Sequence, residues 1–210
     1  MNLGRGSRKP LVHLSSEVQD YCDNIRMHYG PRFLLPLIVP AAGFGAVAET
    51  LNLDGKALDP FASAAEVRIF VLACTDCPIA NRDAPELKRL SDAFTPRGAV
   101  FSIVYADPAE SSQAIWRHIE QRGFPGSVIQ DPAHSLARHA KPTVTPEAAV
   151  FSPAGKLLYH SRIDNGPGIG KALASQTRHD LDDAIVAAID GRPQPEKSAP
   201  AVNCSLADVE

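Results

Sequence analysis

The sequence predicts an α/β fold, a central mixed sheet with helices on both faces. Three observations predict it. Apolar runs recur at 67–73, 99–105 and 127–129. Segments with helical spacing or helix-start signals separate and follow them. The alternation then gives way to two strand-like runs, 147–152 and 156–163, joined by Pro153-Ala154-Gly155. Alternation followed by a closing hairpin builds a sheet with parallel and antiparallel neighbours.

Each element has its own signal. Leu51 to Leu58 reads as a small hairpin around Asp54-Gly55, a favoured turn pair. The β-branched run Val67–Ala73 is apolar almost throughout, as in a strand buried on both faces. Pro78–Phe94 carries Ile79, Leu87, Leu90 and Phe94 at helical spacing, with Pro85 as an internal kink. Ala99–Tyr105 is a second strand, and Asp107-Pro108 leads into a helix over 110–122 with Ile115 and Ile119 inward. A short strand at 127–129 precedes Asp131-Pro132, which caps a short helix ending at Ala140. The last helix spans 177–190, with Thr177 as cap, Asp180 in its first turn and Leu181, Ile185 and Ile189 on one face. Gly191 stands just past its end.

These elements form one domain over 49–191, between a leader (1–48) and a Pro-rich tail (192–210). A chain of 210 residues that is 44% hydrophobic can bury a real core in one domain plus extensions. The net charge of -3 provides no electrostatic footprint for nucleic acid. The uncharged stretch 33–48 is short for a membrane span but fits a signal-peptide core ending in Ala46-Val47-Ala48. Read from Met27, a short basic region containing Arg32 precedes it. The expectation is a working start at Met27, a signal peptide over 27–48, and a mature chain from near Glu49 without a membrane span. That chain would be extracytoplasmic, periplasmic or secreted. The alternative is a cytoplasmic protein in which this stretch is a poorly ordered hydrophobic arm or a buried helix broken by Pro36 and Pro40.

The chemistry lies in cysteine. Of Cys22, Cys74, Cys77 and Cys204, only Cys74 and Cys77 form a C-x-x-C, and no second pair supports a structural zinc site. No metal and no cofactor are expected. Cys77 falls where a strand gives way to a helix, and Pro78 suits a first helical position because it has no N–H to orphan. Unpaired N–H groups and the positive end of the helix dipole favour a thiolate there. The competing reading is a small inert hydrophobe at a strand end.

Cys74-Thr75-Asp76-Cys77-Pro78, Ala84-Pro85, Thr145-Pro146-Glu147 and the hairpin from Val150 to Tyr159 together resemble the thioredoxin fold. Asp54-Gly55 and the stretch from Asp131 to Gly155 are similar to its redoxin branch. That branch comprises alkyl-hydroperoxide-reductase-type (AhpC/TSA) peroxiredoxins, which are antioxidant enzymes, and membrane-associated thiol:disulfide oxidoreductases. The resemblance spans roughly residues 50 to 190. It implies a cis peptide bond at Pro146, packed against a redox-active thiol, with the backbone of Thr145 offered to a bound thiol or disulfide. The bond would otherwise be an ordinary trans Pro at a strand start.

In thioredoxins the Ala-Pro kink follows the attacking cysteine by about two helical turns. On that register Cys77 is the nucleophile, Ala80 occupies the usual resolving position, and Cys74 precedes the helix. The resolving thiol is then Cys74 or, from the tail, Cys204. Partners would be thiols or disulfides of proteins or small molecules, or a hydroperoxide, together with an external thiol reductant.

The resemblance leaves two other activities. A thiol peroxidase would use Cys77 as peroxidatic residue. Counting back from it, however, the family's hydroxyl position holds Cys74 and its proline position Phe70. Thr75 would have to supply the hydroxyl, and Arg162 or Arg138 the guanidinium. A copper-binding or copper-delivery module would use the two thiols, soft ligands for Cu(I), with His160; that family spaces its cysteines by three residues rather than two. His134 and His139 stand five apart and do not share a helix face well. Asp164 is a surface carboxylate or a proton relay, and Arg178 and His179 are weaker substrate contacts. The segment 165–171 lacks the spacing of a phosphate loop and reads as a flexible connection.

Overall fold

The computed structural model describes residues 50–142, 144–164, 179–195 and the backbone of 204–205. The expected leader, the 165–171 loop, Thr177 and Arg178 lie outside the described residues. The chain order is β1 (Val67–Ala73), α1 (Pro78–Phe94), a 3-10 turn (Thr95–Arg97), β2 (Ala99–Tyr105), α2 (Ser112–Arg122) and β3 (Ser127–Gln130). It continues with α3 (Ser135–Ala140), β4 (Val144–Thr145), β5 (Glu147–Phe151), β6 (Leu157–Ser161), α4 (Asp180–Ile189) and β7 (Cys204–Ser205).

The main sheet has the order β3-β2-β1-β5-β6. β1 is parallel to β2 and antiparallel to β5, and β2 is parallel to β3. β6 closes an antiparallel hairpin with β5. Having neighbours on both edges and both faces, β1 is buried at all seven positions. Even Arg68 is covered, its guanidinium donating to the carbonyls of Phe61, Ser63 and Pro153.

Alternation along β1 divides the interior. Val67, Ile69, Val71 and Ala73 join Leu87, Leu90, Ile115, Leu181 and Ile185 in one core. Phe70 and Leu72 join Leu136, Ala137, Ala140 and Phe151 in the other. Thus α1, α2 and α4 cover one face and α3 the opposite one. Two crossovers step the same way, β1 to β2 to β3, so the right-handed rule for parallel connections puts α1 and α2 on a common face. The architecture is the thioredoxin-like α/β fold.

Several boundaries differ from expectation. The helix expected from 110 starts at Ser112, since the Ser111 hydroxyl accepts from the Ala114 N–H. The final helix starts at Asp180, with His179 in the cap position. The strand expected to reach 163 ends at Ser161. Asp131 does hold α3: its carboxylate accepts from the Ser135 and Ala137 N–H groups at 2.9 and 2.7 Å. The Asp54-Gly55 turn is closed by an isolated antiparallel bridge, Leu51 to Ala57, rather than by full strands.

Candidate functional site

The site lies at the C-terminal end of β1. That strand delivers Cys74, and a tight turn closed by the Cys77 N–H on the Cys74 carbonyl (3.3 Å) leads to Cys77. Cys77 is the N-cap of α1, and Pro78 opens the helix. The Cys77 sulfur accepts the otherwise orphaned N–H of Ala80 at 3.5 Å. Cys77 is fully buried and Cys74 partly exposed. Among the described residues no disulfide forms, and both carry thiols.

The opposite wall follows from strand register. In the antiparallel β1–β5 pair, Leu72 faces Glu147, so continuing the pairing two places brings Thr145 to Cys74. The contacts agree. The Cys77 thiol donates to the Thr145 carbonyl at 3.6 Å, and Cys74 Sγ lies 3.8 Å from Thr145 Oγ1. The Thr145–Pro146 bond is cis, as the resemblance implies. Thr145 is also half of a second ribbon: β4 pairs with β7 antiparallel, Val144 opposite Ser205 and Thr145 opposite Cys204. The structure therefore brings Cys74, Cys77, Thr145 and Pro146 together and puts the Cys204 backbone beside them.

Sequence reasoning missed Glu110. Its Oε1 accepts the Thr75 N–H at 2.5 Å, tying the cysteine turn to the loop after β2. Its buried Oε2 has no hydrogen-bond partner among the described residues. Burial raises the Glu110 pKa, Thr75 pulls it back, and Asp107 and Asp76 add to the rise. Nothing local marks this residue, because its partner is 35 positions away.

A buried network flanks α1. His118 Nδ1 meets the Tyr105 hydroxyl at 2.7 Å, and Nε2 meets Asn81 Oδ1 at 2.5 Å. The Asn81 N–H in turn donates to the Cys77 carbonyl. Burial lowers the His118 pKa, with Arg122 adding to the effect, and burial raises that of Tyr105. His118 follows Ile115 by three positions, so the helical face it shares was a usable signal. Further along α1, burial pushes Asp83 up to about 6 despite Arg82 beside it (2.6 Å).

The other named residues are placed elsewhere or engaged. Arg162 pairs with buried Asp180 at 2.5 Å, and Arg138 donates to the Ala133 carbonyl. His160 sits on β6 opposite Ala149. His134 bonds the Ala106 carbonyl at 2.9 Å, while His139 stacks on Phe151 with ring centroids 5.2 Å apart. Asp164 lies 3.8 Å from Arg82, and exposed His179 meets Glu86. Among the described residues, no group of three or more His, Cys, Asp or Glu is arranged to hold a metal ion. No helix there is long and apolar enough to cross a membrane.

Solved structures share this fold. An uncharacterized conserved protein from Geobacillus kaustophilus matches with TM-score 0.63 and 24% identity, over 74% of this chain and 85% of that one. A hypothetical protein from Sinorhizobium meliloti 1021 matches with TM-score 0.62 and 18% identity, over 74% and 87%. A secreted Mycobacterium tuberculosis disulfide oxidoreductase homologous to E. coli DsbE matches at 0.48 and 16%, over 70% and 97%. No family model matches the chain, and no curated protein does. For the first two, at these identities, the likeness is one of fold.

Proposed function

We propose that this chain is a thiol:disulfide oxidoreductase in which Cys77 attacks and Cys74 or Cys204 resolves. One observation carries the reading: the Cys77 sulfur sits at a helix start, between the Ala80 N–H and the Thr145 carbonyl. The N–H supports negative charge on that sulfur when it attacks or leaves as a thiolate. The backbone of Thr145 lines the approach.

The reaction balances as two exchanges. Cys77 thiolate bonds to one sulfur of a substrate disulfide, and the other sulfur departs as a thiolate. The resolving thiolate then attacks Cys77, releasing the second substrate thiolate and leaving a disulfide in the protein. An external dithiol reduces that disulfide and restores both thiols. The domain extends over 49–191, and export past a leader ending at Ala48 places it in an extracytoplasmic compartment.

Insulin reduction by the full chain with dithiothreitol as reductant tests this. Wild type accelerates insulin precipitation and Cys77→Ser does not. Undiminished activity in Cys77→Ser, or hydroperoxide consumption with no insulin reduction, overturns the assignment.

A further inference from the structure

We infer that β7 is a resident strand beside the site and that its Cys204 is the thiol that resolves Cys77. The inference rests on the oxidoreductase reading and selects between its two resolving candidates.

The argument is one of register. Thr145 is where the site converges, since its carbonyl accepts from Cys77 and its hydroxyl lies against Cys74. The residue directly opposite Thr145 on the neighbouring strand is Cys204. Directly opposed residues of an antiparallel pair have Cα atoms about 4.5–5.5 Å apart. The Cys204 backbone is thus one strand spacing from the residue that holds the attacking sulfur. A slip of one residue along β4 would put Asn203 or Ser205 there instead.

The tail has the length for this. Residue 195 and Cys204 are nine positions apart, a reach of up to about 30 Å. A thiol tethered by so short a segment acts at an effective concentration of roughly millimolar. A ribbon of two residues per strand is too short to hold itself by backbone bonds alone. Capture of Cys77 by Cys204 would fasten it covalently and mark the oxidised state.

Oxidised glutathione is the probe. Cys77 thiolate takes one glutathione as a mixed disulfide and releases the other as a thiolate. Cys204 thiolate then attacks Cys77, forming Cys77–Cys204 and releasing the second glutathione.

The experiment treats the reduced full chain with one equivalent of oxidised glutathione, quenches with acid, and maps peptides without reduction. Wild type and Cys74→Ser are expected to yield the joined Cys77 and Cys204 peptides. Cys204→Ser is expected to accumulate Cys77–glutathione, releasing the second glutathione at least about tenfold more slowly in roughly 0.1 mM external thiol. A Cys74–Cys77 disulfide in wild type with unchanged release in Cys204→Ser overturns the inference alone. So does a Cys204 bridge between two copies. If no mixed disulfide forms at Cys77 in any variant, the oxidoreductase reading falls and takes this with it.

Discussion

The Cys77 sulfur lies 3.6 Å from the carbonyl oxygen of Thr145, although 68 positions separate the two residues. Three separate features produce that contact: β1 ends at Ala73, α1 starts at Pro78, and β5 runs antiparallel to β1. Each follows from ordinary local preferences. Only their coincidence makes a place where a sulfur meets a helix N–H and a bent Thr-Pro segment together.

Through the Ala80 N–H, Cys77 is a structural cap as well as the proposed nucleophile. Ser at this position retains an acceptor for the Ala80 N–H, whereas Ala leaves that donor unmatched. Cys77→Ala should therefore be less stable than Cys77→Ser by about 1 kcal/mol. Both variants should lose disulfide exchange. Urea denaturation of the pair checks the first point. Equal midpoints would mean that the sulfur does not cap α1.

Glu110 anchors the cysteine turn through the Thr75 N–H. Gln keeps the acceptor and removes a buried charge, while Ala removes both. Glu110→Ala should cost about 1–3 kcal/mol and slow insulin reduction, because the turn between Cys74 and Cys77 loses its tie. Glu110→Gln should hold wild-type stability or exceed it at neutral pH. Matching losses in the two variants would show that the carboxylate charge, not the hydrogen bond, matters.

Two buried groups, Asp83 on α1 and His118 packed beside it, give stability opposite pH dependences. Asp83 holds its proton up to about pH 6 when folded, against an ordinary 3.8, because burial outweighs Arg82. Between those values the folded state binds more protons than the unfolded one, so stability falls as pH rises. Asp83→Asn should thus be close to wild type near pH 4 and more stable at pH 7 by up to about 3 kcal/mol. His118 works the other way. Burial lowers its pKa, so the unfolded state takes the proton first and stability falls as pH drops below the ordinary histidine range. Denaturant midpoints across pH 4–7 measure both slopes. An Asp83→Asn advantage that stays constant across this range would remove the buried carboxyl as its cause.

Elements with a strong period were legible in full. Val67–Ala73, Pro78–Phe94 and Ala99–Tyr105 stand where the apolar pattern and Pro78 put them. Helix starts set by a hydroxyl were not, because Ser111 competes with Glu110 and only cap geometry decides between them. The same holds at the site. Cys77 was marked by the switch from strand to helix at Pro78, and Thr145 and Pro146 by the resemblance to the thioredoxin fold. Glu110 and Asn81 act through partners distant in sequence or on a neighbouring helix, which no local window contains; for His118 the spacing from Ile115 marked the buried face but not the partners.

The connection from α2 into β3 should tolerate a side chain at its glycine far less than the Asp54-Gly55 turn does. Gly126 has φ +82, and a Cβ there would collide with the Phe101 carbonyl. Gly55 has a similar φ of +74, but a Cβ would meet nothing within 4 Å. Gly55→Ala should cost only the left-handed strain of about 1–2 kcal/mol. Gly126→Ala carries that strain plus a forced backbone shift of β2, about 1–3 kcal/mol more. That shift would spread through the Ser102–Ser127 and Ile103–Val128 pairs to the sheet edge. Urea denaturation of the two variants side by side separates strain from collision. Equal losses would mean that the chain after α2 relaxes freely and that β3 is not held against Phe101.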